Sequence, residues 1–229
     1  MKPIVDHAEK QETRQRLLET AGEIFAEKGF RVATVREICK HAGANIAAVN
    51  YHFGDKERLY IAVLQQTFAV ANEQYPLNRA LAENASPEER LRSFVSAYLL
   101  RLLDSGRKSW HGKLIAREIS EPTPAFSLVV DEMVHPSLEL ITAIVRDFLG
   151  ESVPVEMVKL YVRSILGQCL FYFHFRSIIE MLNPDCVFTR EKIEQCAEHI
   201  CNFSLPALQE FRGQNGPERP QPGGVLPLA

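Results

Sequence analysis

The apolar positions of this chain recur every three or four residues over most of its length, as they do along one face of an α-helix. The first such segment runs from about residue 11 to residue 28, and Gly29 follows it as a typical helix stop. Its inward positions are Leu17, Ala21, Ile24 and Phe25. No segment alternates between apolar and polar residues for long enough to predict a sheet. The pattern therefore predicts an all-α fold.

Capping residues divide the rest of the pattern into separate helices. Thr34 and Glu37 have the spacing of a capping box, and Asn45, Asp55 and Ser86 are good N-caps. From these caps and from Gly and Pro stops, we expect the later helices over residues 34–42, 45–52, 55–70, 86–106, 109–119, 125–134, 136–149, 155–181 and 189–211. Eight of the 17 residues from position 213 onward are Gly or Pro, which predicts a disordered tail.

Two of the predicted short helices flank a turn at Gly43, which is the arrangement of a helix-turn-helix. Many helical corners share this spacing, so the residue types must add to it. The segment Thr34–Phe53, continued by Gly54–Leu59 and preceded by Ile24–Phe30, resembles the N-terminal domain of TetR-family transcriptional regulators. The stretch Arg117–Phe126, together with the residues of the second short helix, is similar to the CecR-like subgroup of that family.

The resemblance implies a division of the chain and a function. It predicts a three-helix helix-turn-helix DNA-binding head over residues 1–54, a larger helical ligand-binding and dimerisation core over 55–212, and the tail over 213–229. It also implies a homodimeric repressor that a small hydrophobic effector releases from palindromic double-stranded operator DNA. The genes under its control would concern transport or drug tolerance.

The second helix of the motif has small and polar side chains that suit a DNA groove, once Val49 and Phe53 anchor it inward. Alanine can contact a thymine methyl group, asparagine can read adenine, and a lysine at a helix N-terminus favours phosphate. The candidate DNA contacts are Arg36, Asn45, Ala47, Ala48, Asn50, Tyr51, His52 and Lys56. The family often has Tyr at position 50 and Ser at position 45, so its base contacts do not carry over. Alternatively, Tyr51 and His52 pack under the fourth helix and Lys56 is only solvated.

The helices over 155–181 and 189–211 are more apolar than one buried stripe requires. The resemblance implies that they form a four-helix bundle with a second copy, and the alternative is that they form the core of one chain. The candidate dimer contacts are Leu160, Ile165, Leu166, Cys169, Leu170, Phe173, Ile193, Ala197 and Ile200. Phe203 continues the inward stripe of the last helix.

A ligand pocket needs apolar walls and a few polar groups. The candidates are Phe68, Tyr98, Arg101, Trp110, Arg117, Glu118, Phe126, His135, Tyr172 and His174. The alternatives are that Arg117 is paired at a domain seam without a ligand, and that the aromatic cluster 171–175 belongs to the core or an interface.

Composition restricts the class of protein further. The 229 residues are 46% hydrophobic and 24% charged, which is typical of a globular protein and not of a disordered one. No apolar run reaches the length of a membrane span, and the polar N-terminus does not resemble a signal peptide. The five cysteines have no C-x-x-C pair, so we expect reduced thiols in a cytoplasmic protein and no disulfide framework.

The net charge of −3 argues against a protein that coats nucleic acid along its whole surface. Residues 1–60 nevertheless contain ten basic and nine acidic side chains, whereas the remainder contains 16 and 20, so the head is relatively basic. No catalytic motif is present, and no His–Cys set has the spacing of a zinc site, so we expect neither an enzyme nor a cofactor or metal. A helical adaptor that uses the same corner for protein contacts is the alternative function, ahead of an all-helical enzyme.

Overall fold

A computed structural model of the chain describes residues 3–78, 84–104, 110–185 and 187–215. Within these ranges all the regular structure is helical, which confirms the expected all-α class. The α-helices are α1 Pro3–Val32, α2 Val35–His41, α3 Ile46–His52, α4 Lys56–Gln74, α5 Pro87–Leu103, α6 Trp110–Ser120, α7 Phe126–Val129, α8 His135–Leu149, α9 Val155–His174, α10 Arg176–Leu182 and α11 Arg190–Asn215.

The predicted N-caps make the hydrogen bonds that start their helices. The side-chain oxygens of Thr34, Asn45 and Asp55 accept from backbone N–H groups three residues further on, at 3.2, 2.8 and 2.8 Å. Ser86 and Glu89 form a reciprocal capping box at the start of α5. These bonds satisfy donors that a helix cannot satisfy by itself, so local chemistry fixes the helix starts.

The long helix expected over 155–181 is two helices, which corrects that prediction. The break lies at Phe175, whose backbone (φ −98°, ψ 7°) leaves the helical region. The next residue, Arg176, donates from Nη1 to the carbonyl oxygen of Leu103 at 3.0 Å and lies 5.6 Å from the ring centre of Phe188. These contacts with distant parts of the chain divide a segment that contains no proline and has its one glycine, Gly167, well inside α9.

The two helices expected over 125–134 and 136–149 are joined without a break. A π-helical turn, Val130–Val134, connects α7 to α8, and the N–H of His135 donates to the carbonyl of Val130. Pro136 follows at once and has no N–H to continue the ladder, and the Ser137 hydroxyl donates to the carbonyl of Met133 at 2.8 Å. The wider turn therefore carries the helix past a proline that was expected to separate two elements.

The last helix runs through Pro206 and continues into the first three residues of the expected tail, as far as Asn215. The remaining tail positions, 216–229, lie outside the described residues, as do residues 105–109 after α5. That residues 216–229 are disordered stays a prediction.

The buried apolar side chains form two clusters. One cluster contains residues of α1, α2, α3, α4, α6 and α7, and its largest buried members include Phe25, Tyr60 and Trp110. The other is built mainly from α5, α8, α9 and α11. The apolar core of the head thus continues past the boundary expected at residue 54, into α4 and α6.

Two glycines of α1 allow close contact with α6. A Cβ atom on Gly22 would lie 2.3 Å from the ring of Trp110, and one on Gly29 would lie 2.5 Å from Nη1 of Arg117. Gly29 also has a positive φ of 79°, which other residues rarely adopt. Both glycines and both of their partners are two helical turns apart, so α1 and α6 fit together at two matched positions.

We predict that Gly22→Ala destabilises the fold by about 1–3 kcal/mol, because the added methyl group overlaps the buried Trp110 ring. Urea unfolding followed by circular dichroism measures this change as a lower midpoint at constant slope. The matched control is Gly112→Ala in α6, whose Cβ would meet Phe173 at an ordinary 3.9 Å. This control should gain up to about 1 kcal/mol from helix propensity. Equal midpoints for Gly22→Ala and the unmodified chain would contradict the close fit.

Candidate functional site

The short helix α3 has a buried anchor and an exposed polar side. Val49 is fully buried and Phe53 is nearly so, and both belong to the apolar cluster of the head. The exposed or partly buried positions include every candidate DNA contact: Arg36, Asn45, Ala47, Ala48, Asn50, Tyr51, His52 and Lys56. Asn45 also caps α3. The structure therefore groups these candidates on the outside of the helix-turn-helix, and their contacts with DNA stay a prediction.

Tyr51 and His52 differ in their surroundings. The Tyr51 side chain is 70% exposed, so it does not pack under α4, and its ring meets that of His52 edge to face at 4.9 Å. Burial lowers the pKa of His52, and the positive charges of Arg14 and Lys10 lower it further. The first helix therefore brings two cations beside α3, which the sequence analysis missed because they lie on its regular polar face.

The side chain of Lys56 contacts the end of α1. Its Nζ donates to the carbonyl oxygen of Arg31 at 3.4 Å and lies 4.6 Å from the ring centre of Phe30. Partial burial lowers the pKa of Lys56. This lysine is therefore more than a solvated charge, since it fixes the start of α4 against the last turn of α1.

A largely apolar cavity of about 260 Å³ lies between α4, α5, α6, α8, α9 and the π-helical turn. Three of the ten ligand candidates, Phe68, Tyr98 and Arg101, line it. Most of the cavity wall was not among the ligand candidates; it includes Leu102, Ile115, Ile119, Val134, Leu138, Leu166, Leu170 and Phe173. These residues look like ordinary core positions in the sequence, so hydrophobic periodicity does not separate them from the core.

Arg101 and Tyr98 provide polar groups at this cavity. Arg101 donates from Nε to the carbonyl oxygen of Tyr75 at 2.6 Å and from Nη2 to Oδ1 of Asn72 at 2.7 Å, so α4 orients its guanidinium group. Burial raises the pKa of Tyr98 to about 12, and the charge of Arg101 offsets a part of that shift. Tyr98 is therefore a protonated phenol at neutral pH, able to donate a hydrogen bond.

The other ligand candidates lie elsewhere. Trp110 is buried against α1, Phe126 is partly buried, and Tyr172 packs edge to face on Phe188. The two histidines, His135 and His174, are exposed. Arg117 and Glu118 lie at the seam between the head and the core, beside a second cavity of about 240 Å³, and Arg117 pairs with Glu121 at 3.9 Å.

Glu118 is fully buried at this seam and accepts three hydrogen bonds. Tyr60 of α4 donates its hydroxyl to Oε2 at 2.6 Å. Thr123 donates both its backbone N–H and its hydroxyl to Oε1 at 2.9 Å. Burial and the bond to Glu118 raise the pKa of Tyr60 far above its usual range, so the phenol stays protonated. The network joins α4, α6 and the turn after α6 at one point.

The helix α6 thus has two different sides. One side packs on the head through Trp110, Leu114, Arg117 and Glu118. The other side lines the 260 Å³ cavity through His111, Gly112, Ile115 and Ile119. Any molecule in the cavity would therefore contact the helix that packs against the head.

Most of the dimer candidates are inside the chain. Ile165, Leu166, Cys169, Ile193, Ala197 and Ile200 are buried, while Leu170 and Phe173 are partly buried and line the cavity. Leu160 is 51% exposed. Phe203, expected to point inward, is 68% exposed, because the buried stripe of α11 continues from Ile200 to Ser204 and Leu208 instead. Other exposed apolar residues of this region are Val155 and Phe171 in α9, Phe175 at the break, and Ile178, Met181 and Leu182 in α10.

Among the described residues, no group of three or more His, Cys, Asp or Glu side chains could hold a metal ion. In the same part of the chain, no helix is long and apolar enough to cross a membrane.

Comparison with known proteins agrees with this arrangement. The family model of bacterial regulatory proteins of the tetR family matches residues 17–63. The C-terminal domain of the HTH-type transcriptional dual regulator CecR matches residues 87–208, which is more than half of the chain. This chain belongs to the TetR family of transcriptional regulators. Its regulatory domain is of the CecR type, and both matches are to regulators and not to enzymes.

Individual relatives cover most of the chain. The CecR regulator of Shigella flexneri is 27% identical over 204 residues, which is 85% of this chain and 91% of that protein. The transcriptional repressor AcnR of Corynebacterium glutamicum is 42% identical over 164 residues, covering 67% and 78%. The crystal structure of AibR in complex with isovaleryl coenzyme A and operator DNA has the same fold, with a TM-score of 0.62, 21% identity and coverage of 83% and 97%.

We predict that Tyr60→Phe destabilises the chain by about 1.5–3 kcal/mol, because it removes a hydrogen bond to a buried carboxylate. The control is Tyr161→Phe, which removes an exposed 3.4 Å bond to the carbonyl of Ala207 and should cost less than about 0.5 kcal/mol. Urea unfolding of both variants measures the difference. Equal losses would contradict the special role of the Glu118 network.

Proposed function

We propose that this chain is a homodimeric repressor that binds palindromic operator DNA through α3 and is released by a small hydrophobic effector. The observation that carries the proposal is the position of α6, which lines the apolar cavity on one side and packs on the DNA-binding head on the other. The name of the AcnR relative, a repressor, supports repression, and the CecR relative is named a dual regulator. Control of transport or drug-tolerance genes belongs to the same proposal.

The exposed side of the helix-turn-helix supports the DNA part of the proposal. Asn50 and Tyr51 are exposed on α3, and Arg36 is exposed on the preceding helix. Lys10 and Arg14 add positive charge beside His52. Exposed polar groups can read base edges, while cations and helix starts contact phosphates. A few contacts in this small region are compatible with the net charge of −3 of the whole chain.

The outer side of α9 and α11 supports the homodimer. Leu160, Gly167 and Phe171 lie along one exposed side of α9, and Phe203 is exposed on α11. A hydrogen bond of 3.1 Å from Gln168 to Ser204 holds the two helices side by side. A Cβ on Gly167 would meet nothing within 4 Å, so this chain alone gives no reason for a glycine that costs about 1 kcal/mol inside a helix. Close approach of a second copy provides such a reason.

The two-sided packing of α6 supports release by an effector. A ligand in the cavity would press on residues 111–119, and a shift of α6 would move α1 through the contacts at Gly22 and Gly29. A dimer must place its heads at half-sites about 34–36 Å apart, so a change in head spacing weakens binding. The effector must bind the released state more tightly than the DNA-bound state. The AibR crystal, which contains isovaleryl coenzyme A and operator DNA together, supports a small-molecule effector in this fold.

A gel-shift assay with the DNA upstream of its own gene tests the DNA part of the proposal. Tyr51→Ala should weaken operator binding about tenfold, because it removes an exposed side chain of α3 at little cost to folding. The control is Met181→Ala on α10, which is 73% exposed and lies outside the head. If both variants bind DNA as the unmodified protein does, the helical adaptor becomes the better interpretation. No shift at low salt would also contradict the proposal.

Analytical ultracentrifugation tests the homodimer. Gly167→Leu should shift the protein from dimer to monomer at micromolar concentration, because a leucine side chain would keep two α9 helices apart. The control adds the same side chain at an exposed position of α8, Glu139→Leu, and should leave the dimer intact. A monomeric unmodified protein would contradict the homodimer, and a dimer that tolerates Gly167→Leu would place the interface elsewhere.

A further inference from the structure

The apolar cavity adjoins a more open groove of about 410 Å³. The two spaces share a set of lining residues, which we call the neck: Asn72, Arg101, Glu132, Met133 and Ser137. Inward from the neck the walls are mainly aliphatic and aromatic, and outward they continue to Pro76, Asn78 and Pro136. A molecule that occupies this site would therefore have an apolar end inside and a polar end at the neck.

The charges at the neck differ in burial. The guanidinium group of Arg101 is partly buried and is oriented by its bonds to Tyr75 and Asn72. The carboxylate of Glu132, on the π-helical turn, belongs to an exposed side chain. Water screens an exposed charge more strongly than a partly buried one, so the charge of Arg101 acts more strongly at the neck than that of Glu132. Its planar group suits a carboxylate, and the protonated phenol of Tyr98 provides a donor nearby.

The volume of the inner cavity limits the apolar end. A cavity of roughly 150 Å³ lined by aliphatic and aromatic side chains accepts benzene, which has six carbon atoms. By the same proportion, a cavity of about 260 Å³ accepts an apolar group of about ten non-hydrogen atoms. The walls around this group are mainly apolar, which favours its binding by the hydrophobic effect.

We propose that the effector of this chain is an amphiphilic anion, with an apolar body of about ten non-hydrogen atoms in the inner cavity and an acidic group at Arg101. The inference rests on the proposed function, because it names the chemical class of ligand for the regulatory cavity. It extends the small hydrophobic effector expected from the sequence by giving that molecule a charge and a direction.

Isothermal titration calorimetry on the full chain tests the charge with three molecules of one length: decanoate, 1-decanol and decylamine, each below its aggregation limit. Decanoate should bind most tightly. Arg101→Gln should weaken decanoate about tenfold or more and leave 1-decanol unchanged, because only the acid uses the positive charge. Glu132→Gln, which removes the opposite charge at the same neck, should leave decanoate unchanged or tighten it.

Three results would overturn the proposal: equal binding of decanoate and 1-decanol, preference for decylamine, or decanoate binding that ignores Arg101→Gln. Since Arg101 also bonds to α4, 1-decanol binding serves as the check on folding. If Arg101→Gln loses both ligands, Arg101→Lys decides, because it retains the charge. Preference for decanoate should persist in that variant, and its loss there would contradict the proposal.

Two further measurements test the ligand class apart from the release of DNA: a series of carboxylates of increasing length, and a gel shift with decanoate. Affinity for straight-chain carboxylates should rise up to about ten carbons and then stop rising, because the cavity is full. If decanoate binds as expected but does not release operator DNA in a gel shift, the ligand class stands and release by an effector fails. If an uncharged compound releases the DNA and decanoate does not bind, the proposed function stands and the anionic class fails.

Discussion

The packing of α6 constrains the rest of the molecule, because this helix packs against the DNA-binding head on one side and lines the apolar cavity on the other. Trp110 and Arg117 lie in spaces that only glycine leaves open on α1, while the opposite side of α6 lines the cavity. Close-packed side chains leave little free volume, so α6 has few ways to move without moving α1 as well. The positions of the head and of the cavity wall are therefore linked by sterics, before any ligand is considered.

The buried carboxylate of Glu118 fixes the relative position of the helices that pack here. Burying a charge is costly unless hydrogen bonds replace the lost water, and here Tyr60 and Thr123 together supply three donors. An apolar residue of similar size can stabilise a core equally well, so stability alone does not explain the carboxylate. Apolar surfaces tolerate sliding, whereas hydrogen bonds require a fixed distance and angle. The network therefore favours one arrangement of α4, α6 and the turn between α6 and α7.

Local chemistry made the head predictable. The caps at Thr34, Asn45 and Asp55 depend on a side chain and a backbone group three residues away, so the sequence contains both partners. The break at Phe175 and the burial of Trp110 depend instead on Leu103 and Gly22, which are far away in the chain. The same holds for the cavity, whose wall comes from several helices. A residue such as Leu166 has the pattern of a core residue whether it faces another side chain or an empty space.

The two apolar helices near the C-terminus show where the limit of sequence reasoning lies. An all-round apolar helix predicts two contact surfaces but does not say which residues belong to which. In the structure, the residues with the most regular spacing, such as Ile165, Cys169 and Ile200, are buried in the core of the chain itself. What remains outside is Phe171, the small Gly167, and Phe203, which the apolar period had assigned to the inward stripe. Exposed aromatic groups beside an otherwise unexplained helical glycine therefore indicate a helix–helix contact more directly than the strongest apolar stripe does.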